Sequence, residues 1–155
     1  MYGLIGKRER KTRHIRPDGS RYYTPASANR ALVLLRRVVG EIVEAYPEMI
    51  AAQETYESGV RGGQANQAEP ARQRLICAAS NIRRSLDVLD EMGVELRDWA
   101  TGIVDFPAFA GGRELRLCWQ LGEPAVQYWH EAGEGFVSRR PLCELPLAVE
   151  DAGTV

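Results

Sequence analysis

Four side chains in the second half of the sequence are of types that bind transition metals or transfer protons: Asp105, Cys118, Glu123 and His130. Their separations along the chain match no established pattern of metal ligands, in which paired ligands lie close together. Asp105 and Glu123 could form an acid–base couple, or could equally accept hydrogen bonds from backbone N–H groups in turns. The sequence therefore predicts no metal and no cofactor, and leaves Asp105, Cys118 and His130 as weak candidates for metal ligands.

The alternation of side chains along strands argues against a pair formed by Cys118 and His130. Trp119 belongs to the apolar face of its predicted strand and Cys118 to the opposite face. If Val126 and Tyr128 join Trp119 in the core, His130 points into the core and Cys118 points away; a bulge would reverse this. We expect His130 to be a core or edge histidine hydrogen-bonded to a carboxylate, and we predict no catalytic residue.

Basic and aromatic residues near these four side chains extend the set of candidates. Arg113 and Arg139 could bind a carboxylate or a phosphate group, although solvated or ion-paired arginines are more usual. Trp129 could stack on a ligand, but packing in the core is the more common role of a tryptophan. The candidate ligand-binding residues are therefore Asp105, Arg113, Glu123, Trp129, His130 and Arg139.

The elements that must position these residues are predicted to be antiparallel strands. Two alternating runs, Glu114–Leu121 and Val126–Glu131, flank a four-residue loop and predict a β-hairpin. Shorter runs at Val94–Asp98 and Ile103–Phe106 predict two earlier strands, and residues 135–142 could add another. We expect a small antiparallel sheet of three to five strands between about residues 94 and 142.

The first half of the chain has the pattern of two helices. Thr24 and Pro25 begin a helix of about residues 24–58, which Pro47 either kinks or divides. The second helix is predicted for about residues 70–92 and includes Cys77 as a core residue. In each helix the basic residues lie near the start and the acidic residues near the end. In an antiparallel pair this arrangement places opposite charges beside each other. The predicted fold class is α+β: a long antiparallel helical hairpin followed by the sheet.

Composition places the chain among ordinary globular proteins. It has 155 residues, 45% hydrophobic content and a formal net charge of −1, so it has no overall attraction to nucleic acid or membranes. No apolar run is long enough to span a membrane, and the start lacks the order of a signal peptide, which predicts a cytoplasmic location. We divide the chain into a basic arm with a small hairpin (1–21), one domain (22–143) and a tail (144–155).

Several short motifs resemble one known family. They include Gly102–Pro107, Leu117–Trp119, Leu121–Pro124 and Trp129–Glu131, with Gly135, Phe136 and Arg139 beyond them. On these residues the chain resembles the small bacterial and archaeal family known as domain of unknown function 2203, over roughly residues 22–142. The family has no assigned activity, so the resemblance implies relatives but transfers no catalytic residue.

Three functional hypotheses are open from the sequence. The first is a non-enzymatic interaction module that forms a homo-oligomer, a dimer, through helix one. The apolar stripe of this helix is longer than helix two, and its far end includes Met49, Ile50 and Tyr56. The second is a small metal-dependent or ligand-binding enzyme that uses Asp105, Glu123 and His130. The third is nucleic-acid binding through the basic residues 7–16. A different protein partner is a further option, whereas a membrane partner is not expected.

Overall fold

A computed structural model describes residues 15–146 of the chain. Most of the basic arm, including residues 7–14, and the end of the predicted tail lie outside these residues. The elements in chain order are α1 (Pro25–Arg61), α2 (Ala65–Met92), β1 (Glu95–Asp98), β2 (Ile103–Ala110), β3 (Arg113–Gln120), β4 (Tyr128–Glu131) and β5 (Arg140–Pro141), with 3-10 turns at Phe136–Ser138 and Leu142–Glu144.

Helix α1 begins where its capping residues predict. The Thr24 hydroxyl accepts a hydrogen bond from the Ser27 N–H, the Ser27 hydroxyl accepts one from the Thr24 N–H, and Pro25 occupies the first helical position. The helix continues through Pro47 to Arg61, so this proline does not divide it. Tertiary packing on both sides of Pro47 maintains the helix across the hydrogen bond that proline cannot donate.

Helix α2 begins at Ala65, which is earlier than the predicted start near Pro70. The prediction placed Pro70 in the first turn, where proline is most often found. In the structure Ala68 and Ala71 are buried against α1, and a Cβ added at Gly59 would lie 3.0 Å from the Ala68 backbone nitrogen. This close approach of the two helices stabilises an additional turn of α2 before the proline.

The two helices form the predicted antiparallel hairpin. Glu48 of α1 and Arg74 of α2 form an ion pair at 3.8 Å, and the Ser85 hydroxyl donates to Glu41 at 3.1 Å. These contacts agree with the opposed charge gradients of the two helices. Cys77 lies on the exposed side of α2, so its prediction as a core residue was wrong.

The five strands form one antiparallel sheet in sequential order, β1-β2-β3-β4-β5. A turn joins β1 to β2, and its Gly102 has a φ of +72°, a value that favours glycine. Strand β2 pairs along its whole length with β3, which places Asp105 opposite Cys118 and Val104 opposite Trp119. The shorter β4 and β5 complete the sheet beyond β3.

The main core lies between one face of the sheet and the helical hairpin. Its fully buried side chains include Leu35 and Ile42 of α1, Leu89 of α2, and Phe106 and Trp119 of the sheet. The core therefore lies between two layers, one of helices and one of strands. The α+β prediction, with a helical hairpin before an antiparallel sheet, is confirmed.

The segment before α1 docks on the edge of the sheet. Ile15 pairs with Arg21 around a tight turn, and the Tyr23 N–H donates to the carbonyl of Pro107 at 2.8 Å. The Tyr23 hydroxyl donates to the carbonyl of Met92 at the end of α2, at 2.6 Å. Among residues 15–146, neither helix is both long and apolar enough to cross a membrane.

Candidate metal centre

Asp105, Cys118 and His130 share the face of the sheet that points away from the helices. Cys118 lies opposite Asp105 on β2 and opposite Tyr128 on β4. His130 is two residues beyond Tyr128 and therefore has the same orientation as Cys118. The prediction that strand alternation separates Cys118 from His130 was wrong.

The error arose from the point at which β4 begins. Val126 is buried, as predicted, but it lies in the loop before β4, which starts only at Tyr128. Two contacts hold this loop on α1: the Val126 N–H donates to Asn29 at 2.8 Å, and Arg36 donates to the Pro124 carbonyl at 2.6 Å. The regular alternation therefore begins after Val126, and it is Trp129 that joins Trp119 in the core.

The three reactive side chains converge in a buried cluster. The oxygen, sulfur and nitrogen atoms that Asp105, Cys118 and His130 could offer to a metal all lie within 4.8 Å of one another. Asp105 and His130 are each 1% exposed and Cys118 is fully buried. Nε2 of His130 lies 3.0 and 3.1 Å from the two oxygens of Asp105, so His130 is the buried, carboxylate-bonded histidine that the sequence predicts.

Both ring nitrogens of His130 face oxygen acceptors. Nδ1–H donates to the backbone carbonyl of Glu131 at 2.8 Å, while Nε2 points to Asp105. Burial lowers the pKa of His130, but the hydrogen bonds to Asp105 and to the Glu131 carbonyl outweigh burial, so the pKa is raised overall. The ring is thus held with Nδ1 engaged and Nε2 directed at the other two reactive side chains.

Cys118 is held as a neutral thiol in this arrangement. Burial raises the pKa of the Cys118 thiol to about 12, assisted by the charge of Asp105 and a hydrogen bond to it. The Arg139 guanidinium, which lies beside the thiol, lowers this pKa but does not offset the other effects. A thiol with so high a pKa is a poor nucleophile at neutral pH, which argues against a Cys–His hydrolase.

Two arginines flank the cluster on its solvent side. Nε of Arg97 lies 3.7 Å from Asp105, and the same guanidinium donates to Glu95 at 2.9 Å. Nη1 of Arg139 donates to both oxygens of Glu123, at 2.8 and 3.1 Å. Each arginine therefore contacts one of the three reactive side chains while an adjacent glutamate balances its charge.

Glu123 is outside the group of close donor atoms. Its carboxylate accepts the Gln120 N–H at 2.8 Å, as predicted for a turn, and also binds Arg139. The Arg139 guanidinium lies 4.2 Å from the centre of the Tyr128 ring and 3.8 Å from that of Phe136. Glu123 and Arg139 thus form a charge pair beside Cys118, and aromatic rings hold the arginine in place.

The remaining two candidates do not contribute side chains to the cluster. Nε of Arg113 donates to Glu131 at 2.9 Å, and Arg113 is an exposed ion-pairing residue. Trp129 is buried in the core and its Nε1–H donates to the Pro141 carbonyl at 3.2 Å. Sequence reasoning missed Arg97 as a neighbour of Asp105, because it depends on how β1 pairs with β2 across a bulge.

A cavity of about 840 Å³ lies between α1 and α2 and is lined by none of the three residues of this cluster. Its walls combine acidic and basic side chains, including Glu44, Glu48, Arg74 and Arg84, with the exposed Cys77. This mixed, open groove lacks the convergent reactive groups of the sheet site. The buried cluster is therefore the stronger candidate for chemistry.

Comparison with known protein families places the chain beside an uncharacterised family. The family model described as Uncharacterized conserved protein (DUF2203) matches residues 21–142, which include both helices, all five strands and the three buried reactive side chains. No curated protein and no solved structure matches the chain significantly.

Proposed function

We propose that this chain, which belongs to the DUF2203 family of uncharacterized conserved proteins, binds one divalent transition-metal ion through Asp105, Cys118 and His130. The observation that carries the proposal is the convergence of three buried donor atoms of different types within 4.8 Å. Thiolate, imidazole and carboxylate together suit Zn²⁺. Tetrahedral zinc with bonds of about 2.0–2.3 Å needs donors about 3.3–3.8 Å apart, so small side-chain movements would complete the site.

Each proposed ligand has a partner that would orient it. Nδ1–H of His130 is held by the Glu131 carbonyl, which fixes the tautomer in which Nε2 is free to bind a metal. Asp105 has Arg97 beside it, and Cys118 has Arg139. Such outer partners are typical of metal centres, where they set the orientation and basicity of the ligands.

Charge also favours a divalent cation at this position. With Cys118 as thiolate and His130 neutral, the three ligands carry a charge of −2, which a divalent ion neutralises. Arg97 and Arg139 add no net charge because Glu95 and Glu123 pair with them.

Three protein ligands leave one position of a tetrahedral ion for water or for a substrate atom. The proposed site therefore supports the hypothesis of a metal-dependent enzyme, but with a different set of residues. Cys118 takes the place that the sequence analysis gave to Glu123. Glu123 acts instead on Arg139, outside the group of donor atoms. A reduced thiol is required, which fits the cytoplasmic location predicted from the sequence.

Metal content of protein purified without an affinity tag tests the proposal. We expect about one zinc per chain, and titration of metal-free protein with Co²⁺ should produce a thiolate-to-cobalt charge-transfer band. Cys118→Ser should abolish that band, whereas Cys77→Ser, which alters an exposed cysteine of α2, should leave it unchanged. The proposal would be contradicted if cobalt produced no such band in the wild-type protein, or if the band persisted in Cys118→Ser.

A second candidate, self-association through α1, is favoured by a different observation. Within the described part of the chain, residues 50–81 contribute nothing to the main core. The end of the helical hairpin where α1 turns into α2 therefore extends beyond this core. Ile50 and Val60 of α1 and Ile76 of α2 are exposed there, at 37%, 57% and 47%. Met49, by contrast, packs against the core, which reduces the uncovered stripe that the sequence predicted.

Sedimentation velocity at tens of micromolar protein tests self-association. We expect a concentration-dependent dimer that Ile50→Ser weakens. Val33→Ser is the matched control, since Val33 is an exposed apolar residue of the same helix but lies near its other end. A monomer at all concentrations would reject this candidate and would not affect the metal proposal.

A further inference from the structure

The proposed ligands are sealed from solvent, so an ion must have a path to them. The sheet backbone and the helical core close one side, because Phe106 and Trp119 on the opposite face are fully buried. On the outer side the neighbours of the cluster include Arg97, Tyr128 and Arg139. An ion can therefore enter only when part of this outer side moves.

The connection between β4 and β5, residues 132–139, contains Arg139, one of these outer neighbours. We call it the cover segment. Its backbone hydrogen bonds are local: Glu134 N–H donates to the Glu131 carbonyl, and Ser138 N–H to the Gly135 carbonyl. Within residues 15–146, the side-chain ion pair that joins this segment to the loop after β3 is the one between Arg139 and Glu123. Segments with mainly local bonds are those that open at low cost.

Arg139 connects the cover segment to the cluster. Its side chain is 14% exposed and that of Glu123 is 20% exposed, so the ion pair is largely shielded from water. The guanidinium lies over the ring of Tyr128, the residue directly opposite Cys118 in the sheet. Movement of Arg139 would thus uncover Cys118 from the solvent side.

We propose that the ion pair between Arg139 and Glu123 is a latch that holds the cover segment over the metal centre, and that its opening admits the ion. The proposal rests on the proposed metal function, but the latch itself is a property of the metal-free fold. The two can therefore be tested separately. Glu123 is the member of the ion pair that stays in place, because its carboxylate also accepts a hydrogen bond from the N–H of Gln120 at the end of β3.

Labelling of the Cys118 thiol in metal-free protein measures opening without any metal. Cys77→Ser and Cys143→Ser would leave Cys118 as the only thiol, since the chain has three cysteines. In this background Glu123→Gln should raise the labelling rate on the order of tenfold, equivalent to about 1.4 kcal/mol of easier opening. The amide keeps the size of the side chain and an oxygen for the Gln120 N–H.

Glu134→Gln is the matched control. Glu134 lies in the cover segment and pairs with Arg140 at 3.6 Å, but it has no contact with Glu123 or Cys118 among the described interactions. We expect its labelling rate to remain within about twofold of the background protein. Equal rates in Glu123→Gln and the background, or equal acceleration in both variants, would overturn the latch.

Hydrogen exchange separates local opening from global unfolding. Glu123→Gln should exchange faster at the amides of residues 132–139 while those of β3 keep their protection. If exchange accelerates equally in β3 and the cover segment, the variant merely destabilises the whole fold and the latch is wrong.

Zinc kinetics link the latch to the proposed function. Association of Zn²⁺ should accelerate on the order of tenfold in Glu123→Gln, and dissociation should accelerate more strongly because the unpaired charge of Arg139 weakens the affinity for the cation. Unchanged kinetics in a variant that binds zinc would overturn the latch. Failure of the wild-type protein to bind zinc would reject the metal function, while the labelling result would still decide the latch.

Discussion

Nε2 of His130 lies within 3.1 Å of both carboxylate oxygens of Asp105, and the two side chains are only 1% and 2% exposed. In metal-free protein the histidine is the principal partner of this buried carboxylate, because Arg97 is farther away at 3.7 Å. A buried charge that loses its partner is strongly destabilising. The pair therefore stabilises the metal-free fold as well as supplying two proposed metal ligands.

His130→Ala should lower the free energy of unfolding of metal-free protein by about 3 kcal/mol, since it leaves Asp105 buried without its closest partner and creates a cavity. Urea denaturation in the presence of a chelator measures the change. Arg113→Ala, which removes an exposed ion pair with Glu131 on the same strands, should have a far smaller effect. Equal stability of wild type and His130→Ala would show that the buried pair is not formed.

Zinc should stabilise the folded protein by an amount that rises with the logarithm of its free concentration once this exceeds Kd. A ligand that binds only the folded state adds RT ln(1 + [L]/Kd), which is about 4 kcal/mol at a thousandfold excess over Kd. Thermal or urea unfolding with buffered zinc should follow this relation, and a chelator should abolish the increase. Cys118→Ser should gain much less from zinc, and an equal gain would assign the binding to other residues.

The affinity for zinc should rise with pH because binding displaces protons. The raised pKa of His130 and the Cys118 pKa of about 12 keep both groups protonated in the metal-free protein at slightly acidic pH. Zinc then displaces two protons, so the association constant should rise about a hundredfold per pH unit. Above the pKa of His130 only the thiol proton is displaced, and the rise should fall to about tenfold per unit.

Competition with a chelator of known affinity, over a range of pH, measures this dependence. The decisive feature is the change of slope, which reports the deprotonation of His130. In Cys118→Ser the slope should decrease by about one proton, because the serine hydroxyl does not ionise in this range. A pH-independent affinity in the wild-type protein would contradict a thiolate–imidazole site.

The helical hairpin was predictable because its signals are local and repeated. The apolar spacing around Leu32, Leu35 and Ile42 and the opposed charges of the two helices all indicate the same arrangement. The Thr24–Pro25 cap likewise acts within one turn. The start of α2 was less accurate because burial of Ala68 against Gly59, a tertiary contact, outweighs the preference of Pro70 for a first turn.

The candidate site was only partly predictable. The residue types were correct, but their convergence depends on a break in the alternation between Val126 and Tyr128, which two loop contacts with α1 impose: Val126 and Trp129 are both buried in the core, so Tyr128 and His130 lie on the other face. A one-residue change of this kind moves every side chain of a strand to the other face. Contacts of Asn29 and Arg36 across the fold carry no signal in the local pattern.

Gly102, in the turn between β1 and β2, lies against α1, so a substitution there tests the packing of the sheet on the helices. Its φ is +72°, and an added Cβ would lie 2.8 Å from Val39 Cγ1 and 2.9 Å from Leu121 Cβ. Gly102→Ala should therefore lower the free energy of unfolding by about 3 kcal/mol, from backbone strain together with the clash. Gly112 has a similar φ of +73° but open space around it, so Gly112→Ala should cost only the strain, about 1 kcal/mol. Urea denaturation of both variants measures the difference, and equal losses would show that α1 does not pack on this turn as the structure has it.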